Sequence, residues 1–203
     1  MERHPIYLEV MADLKRSRVT VLFRLFLAIP HLIWISLWAV AVLFALVGQW
    51  FFTLFAGRPA DPLYGFLARY LRYATHLNSY FFLLANPYPG FLGRPGYPVD
   101  LVIDPPARQS RWKTAFRVIL AIPPYVFATV LGYVLQIVAL AGWFVCLVLG
   151  RMPRGMRDLG AYCLRYQQQT FAYLLLLTDD YPTIASEPPR EQAPSVPAPA
   201  PVA

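Results

Sequence analysis

The chain has 203 residues, of which 58% are hydrophobic and 14% charged, with a mean hydropathy of +0.45. A soluble domain typically has about 45–50% apolar and about 25% charged residues, so this composition excludes both an ordinary cytosolic globule and a disordered chain. Sixteen of the 18 cations are arginine and the net charge is +7, an excess that on so apolar a chain points to anionic lipid or phosphate and away from nucleic acid.

Met1 to Arg18 is polar and mixed in charge, without the apolar core of a cleavable signal peptide. Within it Ile6, Leu8 and Val10 alternate with other residues, a period of two that predicts a strand. Lys15, Arg16 and Arg18 form a basic patch. A short helix is then expected to stop at Ile29-Pro30, because proline disfavours helix at the residue before it. His31 to Ala56 gives 26 residues without Asp, Glu, Lys or Arg, more than the roughly 20 that a helix needs to cross a bilayer. A Gly57-Arg58 turn leads into an amphipathic helix predicted from about Leu63 to Ala85.

The same order then returns. Val99, Leu101 and Ile103 alternate as a strand, Arg108, Arg111 and Lys113 form a basic patch, and a short helix runs to Ile122-Pro123. Pro124 to Leu149 is the second uncharged run, followed by Gly150-Arg151 and an amphipathic helix from about Met156 to Thr178. Residues 185–203, rich in Ala, Pro and Ser, have little to bury and are predicted to be disordered.

An ungapped internal repeat with an offset of 93 residues accounts for this recurrence. Phe23-Arg24 and Leu27-Ala28-Ile29-Pro30 recur as Phe116-Arg117 and Leu120-Ala121-Ile122-Pro123. Trp50-Phe51 recurs as Trp143-Phe144, Leu71-Arg72-Tyr73 as Leu164-Arg165-Tyr166, and Tyr88-Pro89 as Tyr181-Pro182. Residues 1–92 and 93–184 are thus two copies of one unit. The expected fold is a mostly α membrane protein. Each copy reads strand, short helix, long membrane helix, amphipathic helix, with a small paired-strand element on one side.

Loop cations bear on topology. One crossing per copy divides them ten against eight, which sets no orientation. If each amphipathic helix returns, eleven cations share one side and only Arg58, Arg151, Arg154 and Arg157 lie opposite. That bias favours two parallel hairpins, four embedded helices and both termini cytoplasmic, with the strands free to pair on one side. Its cost is Arg69, Arg72, His76 and Arg165 inside the returning helices, since a mid-bilayer arginine costs roughly 2.5–3.5 kcal/mol. The alternative lays these helices flat, with Arg69, Arg72, His76 and Ser79 toward headgroups and Leu67, Tyr70, Leu71, Ala74 and Leu77 toward acyl chains.

Cys146 and Cys163 lack metal or redox spacing and read as buried hydrophobes. Trp34, Trp38, Trp50, Trp112 and Trp143 fit an interfacial belt. Ala41, Ala45 and Gly48, and Ala128 with Gly132, allow close helix packing. The doubled arginines are the candidate lipid- or anion-binding residues: Arg18 and Arg111 before the apolar runs, Arg24 and Arg117 in the short helices, Arg58 and Arg151 at the far ends, Arg72 and Arg165 in the amphipathic helices. No histidine recurs in both copies, and no nucleophile, metal or phosphate-loop motif is present. Asp100/Asp104 and Asp179-Asp180 read as caps or partners for the basic patches. No catalytic residue, metal site or cofactor is expected.

FRLFLAIPH, the Gly-Arg turn, the LRY helix and the LLLLTDDYP ending resemble the bacterial family called domain of unknown function 4389, over about Pro5 to Ile184. Copy one departs from it with Ala85-Asn86-Pro87 where copy two has Thr178-Asp179-Asp180. The resemblance implies an integral inner-membrane protein and no particular activity. Two functions are expected to compete. One is a non-enzymatic accessory or scaffold subunit, in contact with anionic headgroups and with other subunits or its own copies. The other is a binder or transporter of anionic lipid or a small anion that uses the doubled arginines between the repeats.

Overall fold

The computed structural model describes residues 4–185; the tail predicted to be disordered lies outside them, apart from Ala185. The chain is mostly helical. In order it forms β1 (Ile6–Val10), α1 (Arg18–Ala56), α2 (Asp61–Phe81), β2 (Val99–Ile103), α3 (Arg111–Ala115), α4 (Arg117–Leu120), α5 (Ile122–Leu149) and α6 (Arg154–Leu174). The two expected strands pair with each other, antiparallel, with Leu8 opposite Leu101. Two helices, α1 and α5, are long and apolar enough to cross a membrane.

The repeat units differ at the expected short helix. In copy one there is no separate short helix: α1 runs unbroken through Pro30 for 39 residues, about 58 Å at 1.5 Å per residue. One proline removes a single N–H from the ladder, and the helix absorbs it. In copy two Pro123 is followed by Pro124, where copy one has His31, so two consecutive N–H groups are missing and α5 starts afresh at Ile122, after a break at Ala121; a second break, at Phe116, separates α3 from α4. The Leu120 carbonyl, left without a donor from position 124, instead accepts the Tyr181 hydroxyl at 2.7 Å. In copy one the equivalent Tyr88 packs on the His31 ring, 4.6 Å between centroids.

The amphipathic helices end earlier than their apolar pattern, at Phe81 and Leu174. Leu83 and Leu176 stand in the left-handed region (φ 64° and 60°) and turn the chain out of the helix. The two apolar segments beyond the helix ends, Leu83–Ala85 and Leu175–Leu177, are buried in the core.

Hydrogen bonds between the copies come in equivalent pairs. Arg16 N–H donates to Gly150 O and Gln109 N–H to Gly57 O, both at 2.9 Å. The Trp143 indole donates to Val21 O, and the Trp50 indole to Thr114 O. The start of each long helical run therefore meets the end of the other, and the two runs lie side by side and antiparallel. This corrects the hairpin arrangement of parallel copies. Gly57-Arg58 and Gly150-Arg151 do not lie across the molecule from Arg18 and Arg111; each Gly-Arg turn sits beside the Ser-Arg start of the other unit, and Lys15 even bridges to Arg151 as a short antiparallel pair.

The strands are exchanged in the packing as well. β1 of the first copy packs on α6, and β2 of the second on α2. One core cluster joins Ile6, Val42, Leu67 and Leu71 to Leu101, Ala172 and Leu177, and its counterpart joins Ala12, Leu84 and Ala85 to Val99, Leu135, Cys163 and Leu164. Each fully buried leucine contributes roughly 1.5–3 kcal/mol, and each cluster draws on both copies. The order of layers is α1 with α5, then α2 with α6, then the strand pair. The amphipathic helices thus do not face acyl chains with Leu67, Leu71 and Leu77, nor headgroups with His76 and Ser79: all five are buried.

Candidate functional site

The doubled arginines divide into two sorts. Arg24 and Arg117 are 3% and 2% exposed and end in matching cradles at the C-termini of α2 and α6. Arg24 Nη1 donates to Tyr80 O and Ala85 O, and its guanidinium lies 4.3 Å from the Tyr80 ring centre. Arg117 Nη1 donates to Tyr173 O and Thr178 O, 4.4 Å over the Tyr173 ring. A cation here complements carbonyls at a helix C-terminus that have no helical partner of their own. These two side chains hold the left-handed turns closed and are not presented to lipid.

Beside each cradle stands a second donor. Arg16, 4% exposed, donates to Leu83 O and Leu84 O, and Gln109 donates to Leu176 O at the equivalent place. In copy two the cradle closes on a carboxylate. Arg117 Nη2 donates to Asp179 Oδ1 at 2.6 Å and to Gln109 Oε1 at 3.0 Å, while Asp179 Oδ2 accepts Ser110 N–H at 2.9 Å. Copy one has Asn86 at the Asp179 position.

Arg72 and Arg165 go to separate partners. Arg72 Nε donates to Leu101 O and stands 3.6 Å from Asp100; Arg165 donates to Ala185 O and lies over Tyr162. Arg72 lines a groove between the units, with Tyr7, Glu9 and Met11 of the first and Tyr97, Asp100 and Val102 of the second, and Arg165 is not among the residues that line it. The exposed group is Arg18, Arg58, Arg111 and Arg151. Arg18 sits over the Gly150 turn with a hydrogen bond to Val148 O, and Arg111 lies over Gly57, which makes two cationic clusters at opposite ends of the α1–α5 layer.

His76 and Asp100 form a pair that the repeat comparison passes over, since His76 aligns with Gln169. Nε2 lies 2.7 Å from Asp100 Oδ1, and the ring stacks on Tyr97. Burial alone would raise the Asp100 carboxyl. The His76 ring and the N–H groups of Gly96 and Leu101 outweigh it, and the group is held below its ordinary value. The pair ties β2 to α2. The sequence signals it only through one acidic residue, Asp100, in an otherwise apolar strand. Gln167 is another such contact: its amide reaches Ala128 O across the bare surface of Gly132, which is how the small residues of α5 are used. The cysteines are free and buried, and burial pushes the Cys163 thiol up. Among the described residues no three His, Cys, Asp or Glu side chains are grouped to hold a metal.

The outer faces of α1 and α5 are the remaining candidate. From Val19 to Phe55 nearly every outward side chain of α1 is a large exposed hydrophobe, and α5 continues the pattern from Ile122 to Leu149. Polar side chains such as Gln49, Thr53 and His31 point inward and are buried. Soluble monomers rarely expose so large a contiguous apolar patch.

A family model described as a domain of unknown function (DUF4389) matches residues 18–93 and again residues 111–186. The chain belongs to the DUF4389 family. It carries the domain twice, and both matches begin after the strand of their unit. In this tandem DUF4389 protein the matched segments contain all eight doubled arginines, both cradles and both apolar helical runs. No curated protein and no solved structure matches the chain.

Proposed function

We propose that this DUF4389 protein is a non-catalytic scaffold or accessory subunit of a bacterial inner-membrane complex, seated in one leaflet with α1 and α5 along the membrane plane. The observation that carries the reading is the length of the exposed apolar face. Val19 to Phe55 extends about 55 Å along one helix, whereas the hydrocarbon core is about 30 Å thick. Upright, α1 would leave nearly half that face outside the hydrocarbon. Crossing would also put the edges of the strand pair, with Glu9 and Asp100, at membrane depth, where open sheet edges are not tolerated. Lying flat, the face is covered by acyl chains, the strand layer meets water, and Arg18, Arg151, Arg58 and Arg111 flank the apolar layer at headgroup level.

Single cysteines at Met11, Arg58 and Arg154, all exposed, test the seating in sealed vesicles with a membrane-impermeant thiol reagent. All three positions label from one side if the helices lie in the plane. Labelling of Arg58→Cys and Arg154→Cys from opposite sides means one crossing per copy, and labelling of both from the side opposite Met11→Cys means hairpins. The scaffold role requires a partner or a second copy, so a bare monomer in every mild detergent speaks against it.

A further inference from the structure

The two arginine cradles carry different charge. In copy two, Arg117 and Lys113 face the Asp179 carboxylate. In copy one the corresponding side chains are Arg24, Thr20 and Asn86, and Arg16 replaces Gln109. Two guanidinium groups, each less than 5% exposed, therefore lie together with no carboxylate in salt-bridge range among the described residues. Arg16 is surrounded by carbonyls, but Arg24 is not satisfied. Its Nη2, the atom equivalent to the one that meets Asp179, has no hydrogen-bond partner, nor has its Nε; the Asn86 side-chain oxygen beside the same turn is also without one. A buried charge is costly unless it is paired and its hydrogen-bond donors are met.

We propose that the first unit binds a small monovalent anion, chloride or a simple carboxylate, at Arg24 Nη2 beside the Asn86 amide, supplying the charge that the Asp179 carboxylate supplies in the second unit. The repeat supplies the template for the site. Around Asp179 the donors are Arg117 Nη2 and Ser110 N–H, and their counterparts in copy one are Arg24 Nη2 and Ser17 N–H, with Asn86 offering an uncharged amide where the carboxylate would be. Ser17 is exposed and Asn86 only half-buried, so this side of the cradle lies next to solvent. The neutralising charge is then part of the chain in one unit and borrowed in the other. The inference does not depend on how the protein sits in a membrane.

Thermal unfolding of the detergent-solubilised protein tests it, at constant ionic strength in sodium chloride, sodium formate and sodium isethionate, the last too bulky for the site. Wild type is expected to unfold about 5 °C higher in saturating chloride or formate than in isethionate. A response to only one of them identifies which anion the site takes. Asn86→Asp, which supplies the missing carboxylate, is expected to lose this dependence and to match the chloride-bound Tm in isethionate. Asp179→Asn, which empties the second cradle, is expected to increase the dependence. A wild type that unfolds at one temperature in all three salts overturns the proposal, and so does Asn86→Asp with an undiminished chloride response. Should Asn86→Asp not fold, an unchanged response in Asp179→Asn overturns it, and bromide anomalous scattering beside Arg24 gives a direct reading.

Discussion

Gly93, at the junction of the two units, lays its backbone directly on α2. It has φ 57°, and a Cβ there would lie 2.5 Å from Arg69 O and 2.9 Å from Tyr73 N. Both atoms belong to a packed helix and cannot yield as a flexible side-chain tip would. Gly93→Ala is therefore expected to lose about 2 kcal/mol or more of stability, read as a lower midpoint in chemical or thermal unfolding in detergent. Gly65 is the opposite case. It stands within α2, and nothing lies within 4 Å of a Cβ added there, so Gly65→Ala is expected to gain about 0.5–1 kcal/mol by restricting the unfolded chain. The same contrast separates what the sequence discloses from what it hides at the arginines. Recurrence at a fixed offset marks Arg24 and Arg117 as a matched pair, but the guanidinium of a long side chain can run outward to phosphate or inward to carbonyls, and spacing is the same for both. Only the left-handed turns at Leu83 and Leu176, which no local pattern announces, create the inward acceptors.

At the scale of elements, the strands and the long apolar helices were legible because each has a period or a length of its own. Pairing of β1 with β2 followed from the instability of a lone short strand. The single helix through Pro30 was not legible, since one Ile-Pro step reads alike in both copies. The distinction lies in the next residue, His31 or Pro124, through the second missing N–H. Nor does amphipathicity say which partner a face finds. The apolar faces of α2 and α6 are met by strands and helices of the protein, with β2 on α2 and β1 on α6. This exchange predicts that neither unit folds alone. Residues 1–92 by themselves leave Arg72 and His76 without Leu101 and Asp100, and residues 93–185 leave Gln169 without its bond to Ile6 O. Each half is expected to aggregate or be degraded when expressed separately, and the two are expected to co-purify when expressed together. A stable, monodisperse half would refute the exchange.

For the whole molecule, the antiparallel relation of the two long runs bears directly on how an apolar surface meets a bilayer. The repeat relates the copies by a turn about an axis through the strand pair and between α2 and α6, and the long helices lie across that axis. If the axis stands along the membrane normal, both copies present the same face to the same leaflet. If it lies in the membrane, the copies are inverted and the strand layer is at mid-depth. Depth along α1 separates these arrangements. Phe26, Phe44 and Phe55 are all about 70% exposed; they share one face of the helix and span about 44 Å along it. Tryptophan placed at each in turn, in a background with the native tryptophans changed to phenylalanine, can be quenched by lipids brominated at known depths. In-plane seating predicts nearly equal quenching depth at all three sites. An upright helix predicts unequal depths, with at least one of Phe26→Trp and Phe55→Trp shallow, because 44 Å exceeds the hydrocarbon thickness and at least one end must leave it.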